Sequence, residues 1–171
     1  MNDFDIQLLG LKNGCHEFEY RLDDDFFSHF EGDEISGGEV VATVRIEKNM
    51  SQFSFVADVE GKVVTTCDRC LDPLEVEIEN EEEFAVHVGG VTSTENDELI
   101  ELSEDDSVLN IAERLYEMCV VALPIVNVHD EGECNGKMIE VLEAHKPEGN
   151  IKNENSSDPR WDALKQISTK K

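Results

Sequence analysis

Residues 40–59, VVATVRIEKNMSQFSFVADV, contain two consecutive runs in which apolar and polar side chains alternate. Every second residue is apolar: Val40, Ala42, Val44 and Ile46 in the first run, then Phe53, Phe55, Ala57 and Val59 in the second. A period of two is typical of a β-strand that buries one face and leaves the other in water. This part of the chain is therefore predicted to form strands of one sheet.

Similar alternation extends the sheet in both directions. Strands are predicted before these runs, around residues 4–8 and 18–22, and after them, over residues 75–79 and 84–88. A tight turn is predicted at Glu60-Gly61-Lys62. Four or five strands joined by short turns favour an antiparallel meander.

One amphipathic helix is predicted after the strands. Ser103-Glu104-Asp105-Asp106 offers a capping hydroxyl followed by acidic residues, a pattern that favours a helix start. Apolar residues then recur at helical spacing until shortly before Pro124, at Leu109, Ala112, Leu115, Tyr116 and Cys119. The predicted fold class is α+β, a mainly antiparallel sheet covered by this helix.

The chain is predicted to end in a separate short helix. Residues 1–142 are interpreted as a single α+β domain, and the polar segment 143–157 as a flexible linker. Asp158-Pro159 is a favourable N-cap and first-turn pair for a helix over residues 158–171. Its apolar stripe contains Trp161, Leu164 and Ile167. A helix this short needs packing, so the stripe is predicted to dock either on the chain's own core or on a partner.

The charge of the chain restricts its partners. Forty Asp and Glu against fourteen Lys and Arg give a formal net charge of −26. Such a field repels nucleic-acid phosphates and attracts basic proteins, although acidity also serves solubility alone. The longest apolar stretch, residues 118–128, is too short to span a bilayer, and the N-terminus carries no signal-peptide pattern. The sequence predicts a cytoplasmic protein with no membrane partner.

Four residues have the chemistry and spacing of a metal site. Cys67-Asp68-Arg69-Cys70 is a Cys-x-x-Cys pair, and His129 and Cys134 lie close together later in the chain. Zinc takes four such ligands in a tetrahedral structural site. Cys67, Cys70, His129 and Cys134 are therefore a candidate zinc set, with reduced structural cysteines as the alternative. A redox pair is disfavoured, because redox pairs lie at a helix N-terminus and this one falls between strands.

The remaining residues do not indicate catalysis. No Gly-rich segment has the lysine and helix context of a phosphate loop, and no histidine is paired with a nucleophile. We therefore predict that the protein is not an enzyme.

Three stretches carry a resemblance to a known family. They are residues 66–71 with the cysteine pair, residues 113–134 with Ala122-Leu123-Pro124-Ile125, and residues 158–165 with the Asp158-Pro159-Arg160 helix start. In this order they resemble the YceD family, the large ribosomal RNA subunit accumulation proteins. The resemblance implies a bacterial or plastid factor needed for normal levels of large-subunit ribosomal RNA, and it implies no catalytic residues.

Together these observations favour one functional hypothesis and leave two others open. The favoured hypothesis is a non-enzymatic ribosome-biogenesis factor that binds a basic ribosomal or rRNA-processing protein. The alternatives are a metal-dependent RNA-processing enzyme and a zinc-stabilised acidic adaptor unrelated to ribosomes. Direct RNA recognition through Arg69, Lys137 and Arg160 is disfavoured, because against a net charge of −26 it needs unusual charge segregation.

Overall fold

The computed structural model describes residues 2–32, 34–89, 99–102 and 108–146. The chain divides into two compact units, Met1–Ile139 and Glu140–Lys171. The described elements are 3-10 helices at Asn2–Phe4 and Leu8–Gly10, strands β1 (Asp5–Gln7), β2 (Gly14–Leu22), β3 (Gly37–Asn49), β4 (Gln52–Thr66), β5 (Pro73–Val88), β6 (Leu99–Leu102) and β7 (Val108–Asn110), and helices α1 (Asp24–Phe27), α2 (Ala112–Val121) and α3 (Gly136–His145).

The main sheet has the strand order β2-β3-β4-β5-β6. Strands β2 to β5 are antiparallel neighbours in sequence order, which confirms the predicted meander. Strand β6 adds to the edge in parallel with β5. Strands β1 and β7 form a separate antiparallel pair, so the strand predicted around residues 4–8 is only three residues long.

Two of the predicted strand boundaries are wrong. The turn predicted at Glu60–Lys62 does not exist, because β4 continues through it and the real turn between β3 and β4 contains Met50. Gly61 lies opposite Val40 in register, and a Cβ atom there would come within 2.6 Å of the Val40 Cα. The glycine therefore allows two backbones to approach closely inside the sheet. Likewise, the strands predicted at 75–79 and 84–88 are one strand, β5.

The amphipathic helix is confirmed, but it begins later than predicted. Leu109 belongs to β7, and the helix starts at Ala112, whose N–H donates to the Asn110 Oδ1 atom. The predicted start at residues 103–106 lies outside the described ranges. The helix buries a stripe at spacings of three and four, namely Ala112, Leu115, Met118 and Cys119.

The core lies between one face of the main sheet and a second layer of helices. Helix α2 packs against β4 and β5, and α1 packs against β2 and β3. Phe55 and Phe84 stack at the centre with ring centroids 4.6 Å apart. Arg114 of α2 covers the Phe84 ring at 4.2 Å and pairs with Glu82, its Nε lying 3.2 Å from Oε2. These contacts fix α2 on the sheet, and with it the chain that leaves its C-terminal end.

Helix α3 was not predicted, and it extends to His145, three residues into the segment predicted as a linker. The rest of that segment from Pro147, and the predicted helix over residues 158–171, lie outside the described residues.

Candidate metal centre

A tight loop between β4 and β5 holds the first two candidate ligands. The Cys67 N–H donates to the Asp72 carbonyl at 2.9 Å, and the Leu71 N–H donates to the Cys67 carbonyl at 2.8 Å. Leu71 closes the loop with a positive φ of 63°. The turn therefore places Cys67 and Cys70 on one short, internally bonded loop, and both side chains are buried.

A second loop, after α2, supplies the other two candidate ligands. Its position is set by a double hydrogen bond in which the Asp68 N–H donates to the Asn127 carbonyl, and the Asn127 N–H donates to Asp68 Oδ2, both at 2.7 Å. A further bond joins Asn135 Nδ2 to Asp72 Oδ2 at 3.1 Å. The two loops are thus bonded together at Asp68, between the two cysteines, and at Asp72, just after them.

The four candidate ligand atoms converge. The sulfur and nitrogen atoms of Cys67, Cys70, His129 and Cys134 all lie within 4.8 Å of one another, and Cys70 Sγ is 3.4 Å from His129 Nδ1. In a tetrahedral zinc site with bonds of about 2.3 Å, neighbouring sulfur ligands are about 3.7 Å apart. The cluster therefore needs only a small contraction to hold a metal ion.

Hydrogen bonding leaves one nitrogen of His129 free to be a ligand. His129 Nε2 lies 3.1 Å from the Pro73 carbonyl oxygen, a distance at which the ring N–H donates to it. The proton on Nε2 leaves the lone pair on Nδ1, the atom that points at the cluster. In the neutral ring, Pro73 thus directs Nδ1 to the cluster as a potential metal ligand.

The thiols have unequal acidities. Burial opposes ionisation of Cys67, but backbone hydrogen bonds from Cys70, His129 and Arg69 outweigh it and lower the pKa of Cys67 to about 6. The hydrogen bond with Cys67 in turn raises the pKa of His129. Burial raises the pKa of the Cys134 thiol, and its contacts with Cys67 and Cys70 add to this effect. The cluster therefore already stabilises one thiolate, the form of cysteine that binds metals.

Arg69 contributes the nearby positive charge. Its Nη1 atom lies 3.8 Å from Cys134 Sγ. Three thiolates around a divalent ion carry a net charge of −1, which a guanidinium beside one sulfur offsets.

The structure brings together all four residues that the sequence analysis selected as candidate ligands. It places Cys15 in an exposed position on β2, and it places Cys119 in the core, where burial raises the pKa of its thiol to about 12. The other predicted site residues, Trp161, Leu164 and Ile167, lie outside the described residues. Sequence reasoning missed the tethering residues Asp68, Asp72 and Asn127; only the tendency of Asp and Asn to bond backbone groups in turns signals them.

The described residues define an acidic α+β protein in which an antiparallel meander presents a candidate Cys3His metal centre at one end of its two longest strands. The family model described as "Large ribosomal RNA subunit accumulation protein YceD" matches residues 55–168 of the 171 residues. The chain belongs to this family, and the matched range contains β5, α2 and all four candidate ligands.

The other comparisons add no relative. Neither the curated proteins nor the solved structures contain a match to the chain. Among the helices of the described residues, none has the length and apolarity required to cross a membrane.

Proposed function

We propose that this chain supports the accumulation of large-subunit ribosomal RNA without catalysing a reaction, by binding a basic ribosomal or rRNA-processing protein. The observation that carries the proposal is the family match, which covers most of the sheet's longest strands, the candidate metal centre and α2. The family description refers to accumulation of the RNA and names no reaction.

The charge of one sheet face supports a basic protein as the partner. We call this the acidic face, the solvent-facing side of β2 to β5. Its acidic residues are Glu17, Glu19, Glu39, Glu47, Asp58, Glu60, Glu75, Glu77, Glu79, Glu81 and Glu83. Its basic residues are Arg21, Arg45 and Lys62. Such a face attracts a basic protein over a distance and disfavours direct contact with RNA phosphates.

The basic residues of the acidic face are partly occupied by its own carboxylates. Arg45 pairs with Asp58 at 2.6 Å, and Lys62 pairs with Glu77 at 3.5 Å. The carboxylates also crowd one another: a hydrogen bond with Asp58 and the Asp58 charge raise the pKa of Glu81. A basic partner would relieve this repulsion on binding.

We further propose that zinc occupies the metal centre in a structural role. Three sulfur donors and one imidazole nitrogen match the ligand preference of zinc over hard ions such as Mg²⁺. Four protein ligands leave no open position for a water or substrate, which is the arrangement of structural zinc sites. The metal would hold together two loops separated by some sixty residues of chain.

Depletion of the gene tests the ribosomal proposal. Large-subunit and small-subunit ribosomal RNA, with their precursors, would be quantified during depletion and after rescue with the intact gene. The expected result is a selective, rescued loss of large-subunit RNA. Unchanged ribosomal RNA would overturn the proposal.

A further inference from the structure

Four aliphatic side chains on or directly beside the two loops that hold the candidate ligands are exposed to solvent. Ile125 is fully exposed at 101%, followed by Val121 at 76%, Leu71 at 64% and Val126 at 63%. We call these four residues the apolar patch. None of them belongs to the buried core cluster, so the fold of the first unit does not use them.

The patch is built on the same tethered loops as the candidate ligands. Leu71 follows Cys70 directly, and Val126 precedes Asn127, which is bonded twice to Asp68. Val121 is the last residue of α2, whose buried stripe fixes it on the sheet. Exposed aliphatic side chains held on bonded loops present a preformed apolar surface to a partner, and such surfaces mark interaction sites in soluble proteins.

The backbone of Leu71 adds to this interpretation. A leucine at a φ of 63° occupies a left-handed conformation that glycine or asparagine would adopt more easily. The side chain points outward and is 64% exposed, so it contributes little to the core. The backbone conformation alone favours glycine at this position. A leucine here is explained if its side chain contacts another molecule.

The two loops that carry the patch are acidic, and we call their carboxylates the carboxylate rim. Residues 66–75 and 121–137 contain six carboxylates and two cations. The carboxylates are Asp68, Asp72, Glu75, Asp130, Glu131 and Glu133, and the cations are Arg69 and Lys137. Arg69 is directed at Cys134 Sγ. A segment that covers the patch therefore meets negative charge around an apolar centre.

We propose that the apolar patch is the docking site for a basic segment of the partner protein, in which one or two apolar side chains are flanked by lysine or arginine. The inference rests on the proposed function, because it assigns a surface to the basic partner invoked there. Apolar contact at the centre excludes water, while the carboxylate rim pairs with the flanking cations. The acidic face then steers the partner, and the patch holds it.

The test uses the full chain and the proteins stripped with salt from purified large ribosomal subunits. The protein captured by the wild-type chain is identified by mass spectrometry and purified, and its Kd is measured. The double variant Ile125→Ser, Val126→Ser should weaken binding about tenfold or more, since two apolar anchors are lost. The control is Met50→Ser, which removes a 77% exposed side chain from the turn at the other end of β4 and should leave Kd within about twofold.

A second measurement does not depend on how well the double variant folds. A photo-crosslinking amino acid at position 125 should join the chain to a lysine- or arginine-rich segment of the captured protein, and the same group at position 50 should not. Equal affinity for the double variant and the Met50→Ser control, or no crosslink from position 125 to the captured protein, would overturn the patch and leave the proposed function standing. Failure of the wild-type chain to bind any of the stripped proteins would instead overturn the proposed basic partner, and the docking site with it.

Discussion

Cys134 is the candidate ligand whose removal tests the metal centre most directly. Its side chain is half-buried, and it comes from the loop after α2, which a bound metal would link to the turn between β4 and β5. We expect the wild-type chain to purify with about one zinc ion, and Cys134→Ser to retain far less, with a Tm lower by roughly 5 °C or more. Metal content by mass spectrometry and thermal unfolding measure both effects.

Cys15→Ser is the matched control for this substitution. Cys15 is an exposed cysteine outside the cluster, so its replacement should change neither metal content nor Tm. A wild-type chain that contains no zinc after growth with added zinc, or a Cys134→Ser variant as metal-rich as the wild type, would contradict a zinc site here.

Lys48 is a buried cation that serves the fold rather than the site. Its Nζ donates to the carbonyls of Leu8 at 3.0 Å and Leu11 at 2.8 Å, and lies 5.1 Å from the centroid of the Phe53 ring. Lys48→Met would remove a charged donor from both carbonyls, although the Leu8 carbonyl keeps the Leu11 N–H at 3.3 Å, and we expect it to lower the free energy of unfolding by about 2–3 kcal/mol in urea titrations.

The control for Lys48 is Lys62→Met. Lys62 is exposed on the acidic face and forms a single ion pair with Glu77. Its replacement should change the free energy of unfolding by only about 0.5 kcal/mol. Equal losses for the two lysines would show that the buried hydrogen bonds of Lys48 do not stabilise the fold.

At the scale of elements, hydrophobic periodicity predicted the strands and the helix but not their limits. The alternation of Val40 to Ile46 and Phe53 to Val59 is local and survives in the structure as β3 and β4. Gly61 was interpreted as a turn because glycine is common in turns. Its actual role depends on the backbone of Val40, which lies opposite Gly61 in register although it is twenty-one residues away in the sequence. No local sequence pattern reveals this neighbour. Similarly, α2 begins at Ala112, whose N–H donates to Asn110 Oδ1, three residues after the Leu109 that its apolar pattern included.

Gly61→Ala tests this role of close backbone approach. The new Cβ atom would press against the Glu39 carbonyl oxygen and the Val40 Cα, both parts of the rigid β3 backbone. We expect a loss of about 2–3 kcal/mol in the free energy of unfolding, measured in urea.

Gly136→Ala is the control, because a Cβ atom there meets nothing within 4 Å at the start of α3. It should be neutral or slightly stabilising. If Gly61→Ala leaves the free energy of unfolding unchanged, β3 and β4 can separate locally without cost. That result would contradict a structural need for their close approach at Gly61.

At the scale of the whole molecule, the sequence predicted the components of the site but not their assembly. The Cys-x-x-Cys pair and the His129–Cys134 pair are local patterns, so both could be selected without a structure. Their convergence depends on the Asp68–Asn127 tether, whose partners are 59 residues apart in the chain. The net charge of −26 was equally visible from composition, but the segregation of eleven carboxylates onto one sheet face follows only from the register of four strands.

This segregation of charge leads to a prediction about the rate of association. If the acidic face steers a basic protein, the association rate constant should fall about tenfold between roughly 50 and 300 mM NaCl, while the dissociation rate changes less. Stopped-flow or surface-based kinetics with the captured ribosomal protein would measure both rates. Neutralising Glu75, Glu77 and Glu79 to glutamine should flatten the salt dependence, since these three lie in one row on β5.

A control variant with the same change in net charge, made outside the acidic face, separates the effect of the acidic face from that of total charge. Asp3→Asn, Glu31→Gln and Glu34→Gln alter three exposed acids outside the acidic face. This variant should keep a salt dependence close to that of the wild type, because its three charges lie outside the acidic face and moderate salt screens charges over about 10 Å. If the two triple variants behave alike, total charge rather than the acidic face governs association. An association rate constant that does not change with NaCl concentration would contradict electrostatic steering. The apolar patch would then be the determinant of binding.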